Sequence, residues 1–222
     1  MGKRKNPDIV EADHRLVFLG PPGSGKGTQA RLLATKRGLS HISTGVILRT
    51  EIKAETSIGT EARKYIVTGR LVPDEMIRSL AEDAIKAANF RGFILDGYPR
   101  TIQQAQWLHE FLDAQEVSLT AVIQLVLDDE DVVSRLSQRR IHSLTGENFH
   151  LSNKPPPKEE AEFIVSRPDD QPDAIRKRLK VYYRETHPLI EYYDSRGLLL
   201  PVQALGSFSE VHAQIRSTLQ MP

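Results

Sequence analysis

In the stretch GPPGSGKGTQ, which begins at Gly20, glycines at 20, 23 and 25 precede a lysine at 26. Glycines at this spacing let the backbone curl until successive N–H groups converge on an anion. A helix starting just beyond them adds the positive end of its dipole. Lys26 adds a full charge suited to the β- and γ-phosphates of a nucleotide. Gly23, Ser24, Gly25, Lys26, Gly27 and Thr28 are therefore the candidate phosphate cradle. The common form of this loop carries Ser or Thr directly after the lysine, where the hydroxyl ligates Mg²⁺. Here Gly27 takes that place and the hydroxyl comes one residue late, at Thr28. A loop lacking that ligand is expected to leave the ion largely to nucleotide phosphates and water, which suits Mg²⁺.

The stretch LDGYPRT supplies the next groups, Asp96 and, four residues on, Arg100. An acidic residue at the carboxyl end of a parallel strand beside a phosphate loop can order metal-bound waters. Arg100 stands where a loop could offer its guanidinium to a phosphate. Further arginines follow at 49, 135, 139, 140, 167, 176 and 178. Phosphoryl transfer needs spread positive charge around an oxygen-rich transition state and little covalent work from the protein. Arginines that converged would meet that need, but their spacing alone does not bring them together.

These groups need a frame. Short apolar runs alternate with amphipathic stretches, the pattern of a parallel α/β sheet. Strands are expected at Leu16–Leu19, His41–Ser43, Gly92–Leu95, Ala121–Leu127 and Leu198–Val202, the last ending at Pro201 or lying near an edge. Helices are expected from Gly25 to Arg37, from an N-cap at Asp74 to Ala88, from Thr101 to Ala114, from Asp129 to Arg140, and onward from Asp173. Residues 44–72 carry helical pattern without a strand, which suggests a small helical insertion. Residues 141–170 are polar, include NKPPPK, and have no periodicity.

Composition excludes several other classes. A chain of 222 residues with 27% charged and 39% hydrophobic residues is ordinary for a soluble globular protein. A formal net charge of +1 is too small for a general nucleic-acid footprint. The absence of cysteine removes disulfides, thiolate zinc sites and a cysteine nucleophile, and fits a reducing compartment. No apolar stretch has the length of a membrane span. The first fifteen residues carry charges of both signs and no apolar core, so a solvated mobile tail over 1–15 is expected.

Taken together, GPPGSGKGTQA, ISTGVILR, GRLVPDE, GFILDGYPRT, SRLSQRR and RPDDQPDAIRKRL resemble, in this order, the motifs of the adenylate kinase family of nucleoside-monophosphate kinases. In that family glycine after the loop lysine is the rule. The resemblance runs from about Leu16 to Leu219. It implies a P-loop three-layer α/β fold with a five-stranded parallel sheet flanked by helices. The core would comprise 16–43, 73–138 and 171–222, with a helical monophosphate-binding insertion at 44–72 and a lid at 139–170. It implies Mg²⁺-dependent interconversion of ATP and AMP with two ADP by a monomeric cytoplasmic enzyme, without nucleic-acid or membrane partners. Both flaps would close to exclude water.

Carried over by position, Lys26, Arg100, Arg139, Arg167 and Arg178 would surround the transferring group, with Asp96 ordering the magnesium waters. Thr44, Arg49, Arg70, Val72, Gly97, Arg100, Gln104, Arg167 and Arg178 would bind AMP. Arg135, Arg139, Asn148, Phe149, His150 and the backbone at Gly206 would bind ATP beside the loop, and Asp169 and Asp170 would latch the closed lid. Three features depart from the pattern, the mildest being Phe149 where tyrosine is commoner before the histidine. Val46 follows STG where aspartate is usual, which would remove a local hydrogen bond. The lid has no cysteines, and only His142 and Thr145 of the alternative polar set, so a short lid without structural zinc is expected. A UMP/CMP kinase, a GTP:AMP phosphotransferase and a catalytically silent nucleotide-binding module are the alternatives. Thr44 favours AMP over pyrimidine acceptors. A guanine-reading switch is disfavoured because NKPP at Asn153 ends in proline.

Overall fold

The computed structural model describes residues 14–221. Residues 1–13 of the expected tail lie outside the described residues, and Arg15 already belongs to the first strand. In chain order the elements are β1 (Arg15–Leu19), α1 (Lys26–Arg37), β2 (Ser40–Ser43), α2 (Thr44–Lys53), α3 (Ser57–Ile66) and α4 (Asp74–Ala87). Then come β3 (Phe93–Asp96), α5 (Ile102–Asp113), β4 (Ala121–Val126), α6 (Asp129–Ser137), β5 (Arg139–His142), β6 (Asn148–His150) and β7 (Ile164–Val165). The chain ends with α7 (Pro172–Val181), α8 (Leu189–Asp194), β8 (Leu199–Gln203) and α9 (Phe208–Thr218).

Five strands form one parallel sheet in the order β2-β3-β1-β4-β8. Along β1, Leu16 and Phe18 join one core, with side chains from α1, α6, α7 and α9. Val17 and Leu19 join the other, with α2, α3, α4, α5 and α8. A strand covered on both faces has no polar side to show, so it reads as an unbroken apolar run. The three-layer arrangement agrees with the expected fold. The crossover from β1 leads to β2 on one side and that from its neighbour β3 leads to β4 on the other, so a crevice opens at the carboxyl ends of these strands. The register sets Phe18 of β1 and Ser43 of β2 on either side of Asp96.

The structure corrects several boundaries. Asp74 is not an N-cap: Pro73 holds that position and α4 begins at Asp74 itself. Its carboxylate accepts instead from Thr101 Oγ1 at 2.7 Å and Gln104 Nε2 at 2.8 Å, tying α4 to α5. Helix α6 stops at Ser137, short of the expected Arg140, and the chain becomes extended at Arg139. The segment without periodicity holds a small antiparallel sheet, β6-β5-β7, pairing Arg139 with His150 and Ile141 with Val165. Strands of two to four residues built largely from charged and polar side chains have no alternation to read. Strand β8 runs through Pro201 to Gln203, and its place at the sheet edge leaves proline's missing N–H without consequence.

Candidate active site

The glycine loop joins β1 to α1 at the crevice, with Gly25 as the helix N-cap. Lys26 folds back over the loop and donates to the carbonyls of Gly20 at 2.8 Å and Pro21 at 2.7 Å. Burial, with Arg100, Arg178 and Arg139 nearby, pushes its ammonium down to about 7 against the opposing pull of Asp96. Extra negative charge at the loop would restore the full positive charge of Lys26.

Gly27 has a physical reason to be glycine. A Cβ there would lie 2.9 Å from Asp96 Oδ2, well inside ordinary contact distance. The first turn of α1 is thus pressed directly against the carboxylate at the end of β3, and a serine or threonine there would have to displace Asp96. Burial acts to raise the Asp96 pKa, but His41, Lys26 and Ser43 outweigh it and hold the carboxyl below its ordinary value. Ser43 donates its hydroxyl to Oδ2 at 2.9 Å, and His41 Nε2 stands 3.8 Å from the same oxygen. Nothing in the sequence marks His41 or Ser43 as site residues. Only the parallel pairing of β2 with β3 reveals that they face Asp96.

The arginines divide into those that meet and those that do not. Arg139 grips Asp170 with two bonds, Nε at 2.8 Å and Nη2 at 2.6 Å. Arg178 bonds the Asp169 carboxylate at 2.9 Å and Asp170 at 3.3 Å. Arg167 donates to Asn148 Oδ1 at 3.1 Å, and burial together with Arg139 and Arg49 pushes it down to about 9. Arg49 and Arg100 share the same field as Arg178, Asp169 and Asp96. Burial acts to raise the Asp169 pKa, but Arg178, Arg139 and Arg167 hold it below its ordinary value. Arg140 instead bonds the carbonyls of Ser137 and Arg139, and Arg176 makes an exposed pair with Asp173. Neither belongs to the cluster.

On the β3 side, Gly97 lets Thr44 and Arg100 close over the backbone. A Cβ at Gly97 would fall 2.9 Å from Thr44 Oγ1 and from Arg100 Nη2. Both side chains donate to the Gly97 carbonyl, at 2.9 and 2.8 Å. Arg70 and Val72 line a pocket of about 320 Å³ with Tyr65, Pro73 and Thr101. Gln104 is buried, accepting from Arg100 N at 2.7 Å and donating to Asp74, so both ends of its amide are already engaged. On the other side of the loop, Arg135 donates to Ala204 O at 2.6 Å, two residues before Gly206. Burial and Arg135 hold the His150 pKa below its ordinary value, and His150 Nδ1 accepts from the backbones of Ser152 and Asn153. The Phe149 ring is buried beneath Lys154, with the ammonium 5.0 Å from its centre, and so serves the small sheet's own packing. His142 caps a turn, Nδ1 accepting from Leu144 N and Thr145 N, with its ring stacked on Phe163. Among the described residues no group of three His, Cys, Asp or Glu side chains is placed to hold a metal.

Concentrated cationic charge around a glycine loop at a parallel-sheet switch point suits transfer of a phosphoryl group between two bound oxygens. This fold and site define a P-loop phosphotransferase. The family model described as adenylate kinase matches residues 18–198. The chain is 49% identical over 206 residues to an adenylate kinase of Salinibacter ruber, covering 92% of this chain and 97% of that protein. It is 42% identical to one from Geotalea daltonii over 92% of this chain and 99% of that protein. A third, from Chloroherpeton thalassium, is 41% identical over 92% and 97% respectively. The chain belongs to the adenylate kinase family, and it is a nucleoside-monophosphate kinase.

Proposed function

We propose that this enzyme moves the terminal phosphoryl group of ATP to AMP, reversibly giving two ADP. The observation that carries the reading is the convergence of Lys26, Arg49, Arg100, Arg139, Arg167 and Arg178 around Asp96 and the glycine loop. The loop Gly23–Thr28 holds the donor phosphates, and its base lies toward Arg135, His150 and Gly206, which adjoin one another. The acceptor base lies in the pocket of Arg70 and Val72, with its phosphate at Arg49 and Arg100. Thr44 and Gln104 act there chiefly by shaping the Gly97–Arg100 turn, since their polar atoms are engaged within the protein. Residues 44–72 and 139–170 act as the two closing flaps, and Asp169 and Asp170 hold Arg139 and Arg178 ready until phosphates arrive.

The residues present suit Mg²⁺. Asp96, at the end of β3, is a hard, ionised oxygen donor, and Thr28 is exposed in the first turn of α1, which packs against that carboxylate. So few protein donors match an ion that keeps its waters and leans on phosphate oxygens. When bound, the ion would neutralise charge on the donor phosphates. The side chains do the rest: they orient the two nucleotides in line and spread positive charge over the group in flight. A reducing cytoplasm suits a chain without cysteine, and the monomeric state is taken from the family resemblance. Arg100→Ala tests the reading. Turnover is expected to fall by two or more orders of magnitude, about 3 kcal/mol or more of transition-state stabilisation, with an unchanged melting temperature. Near-normal turnover would overturn the assignment.

A further inference from the structure

Among the described residues four helices carry a hydroxyl side chain at the N-cap: Ser43 for α2, Thr56 for α3, Thr101 for α5 and Ser207 for α9. Three of these hydroxyls serve the helix, accepting from the backbone N–H three positions on, at Gly59, Gln104 and Glu210. Ser43 does not. Its hydroxyl donates to Asp96 Oδ2 at 2.9 Å, and no side chain caps α2. An N-cap without its bond leaves the helix less stable. Local rules broken without local gain gather at functional sites.

Asp96 shows what this arrangement secures. The groups that crowd its carboxylate meet one oxygen. Ser43 Oγ bonds Oδ2, His41 Nε2 stands 3.8 Å from Oδ2, and α1 closes on Oδ2 through Gly27. Among the described residues no hydrogen bond reaches Oδ1, and Oδ1 is not one of the buried unpartnered atoms. The side chain keeps 14% of its surface exposed, and Oδ1 holds part of it. Parallel pairing sets Ser43 of β2 beside Asp96 of β3, so the hydroxyl needs only to span two neighbouring strands. A carboxylate tied by one oxygen cannot swing freely about its Cβ–Cγ bond, and the other oxygen keeps a fixed direction.

We infer that Ser43 is a positioning residue of the phosphoryl-transfer site. It fixes Asp96 through Oδ2 and leaves Oδ1, accessible and unpartnered, to hold a water of the metal ion. The inference rests on the reading of Asp96 as the group that orders magnesium waters. Ser43 acts only through that carboxylate.

The test is a double-mutant cycle in the full-length protein with Ser43→Ala, Asp96→Asn and the two combined. Alanine at 43 removes the bond to Asp96 and no helix cap, so the fold should persist. One readout is the steady-state rate with Mg-ATP against AMP. The other is the affinity of Mn²⁺ for the complex of the protein with ADP, read from the electron paramagnetic resonance of free Mn²⁺. Ser43→Ala is expected to lower kcat about tenfold and to weaken Mn²⁺ by a similar factor, the scale on which outer partners of metal-holding groups act. KM for AMP should stay unchanged. Asp96→Asn should do at least as much, and adding Ser43→Ala to it should move neither readout further, because the two side chains form one unit. A raised KM for AMP with kcat intact would make Ser43 a support of α2 and its Arg49, and would overturn the inference. So would unchanged kcat and Mn²⁺ affinity in Ser43→Ala, or a full extra loss in the Asp96→Asn background. An Asp96→Asn variant normal on both readouts would overturn the underlying reading of Asp96 as well.

Discussion

At position 27 the room for a side chain is already taken by Asp96. The glycine after the loop lysine is thus a steric requirement, set by how closely α1 packs against the end of β3. Gly27→Ala is expected to destabilise the fold by about 1–3 kcal/mol, the usual cost of overpacking, and to lower turnover by displacing the carboxylate. Urea unfolding beside a rate assay checks both, and an alanine tolerated on both counts would contradict the packing argument. Lys26 carries a second prediction. Its pKa is 10.5 in the unfolded chain and about 7 in the ligand-free fold. Between those values the unfolded state holds a proton that the native state lacks, so this group makes stability rise with pH across that window. Below about 7 both states are protonated, and the cost of burying the charge is felt in full. Lys26→Met should therefore flatten the stability profile between pH 7 and 10.5, and parallel profiles would refute the shift. The loop, Asp96 and the arginines were legible as residue types. Their convergence was not, because Arg49, Arg100 and Arg178 lie on separate elements whose meeting depends on topology.

Helix α2 begins under a handicap. Its N-cap, Ser43, spends its hydroxyl on Asp96, so no side chain caps the helix, and its first turn contains no acid. Val46 occupies the third helical position and is 52% exposed, so it forfeits the favourable charge without gaining burial. Val46→Asp is expected to raise stability by about 0.3–1 kcal/mol through the helix dipole, read from the unfolding midpoint. No gain, or a loss, would show that the exposed valine serves another purpose. The elements that the sequence concealed share one physical feature: their polar groups are used at long range. Asp74 looks like a cap but bonds Thr101, the N-cap of α5, and Gln104 in its first turn. Arg139 looks like the last turn of α6, but the chain straightens there, and its guanidinium reaches Asp170, 31 residues away. The buried strands, by contrast, were plain, because burial on both faces writes itself as an uninterrupted apolar run.

Over the whole molecule, one rigid parallel sheet carries the loop, Asp96 and the Gly97 turn, while the remaining cationic groups come from segments on either side. Arg49 belongs to the helical pair after β2, and Arg139 and Arg167 to the small antiparallel sheet and its exit. Charge is thus delivered to the crevice from three directions, and without nucleotide much of it is held by Asp169 and Asp170. On the proposed reading, such a design places two phosphate chains end to end and leaves the choice of acceptor to the pocket around Val72. The central claim is that the acceptor is AMP. It is tested most directly by coupled detection of ADP from Mg-ATP with AMP, UMP, CMP, GMP or no acceptor. Rapid turnover with AMP, and rates with the other acceptors at least about a hundredfold lower, is the expected result. Preference for UMP or CMP would contradict the reading of the acceptor pocket, and silence with every acceptor would contradict the phosphotransferase itself.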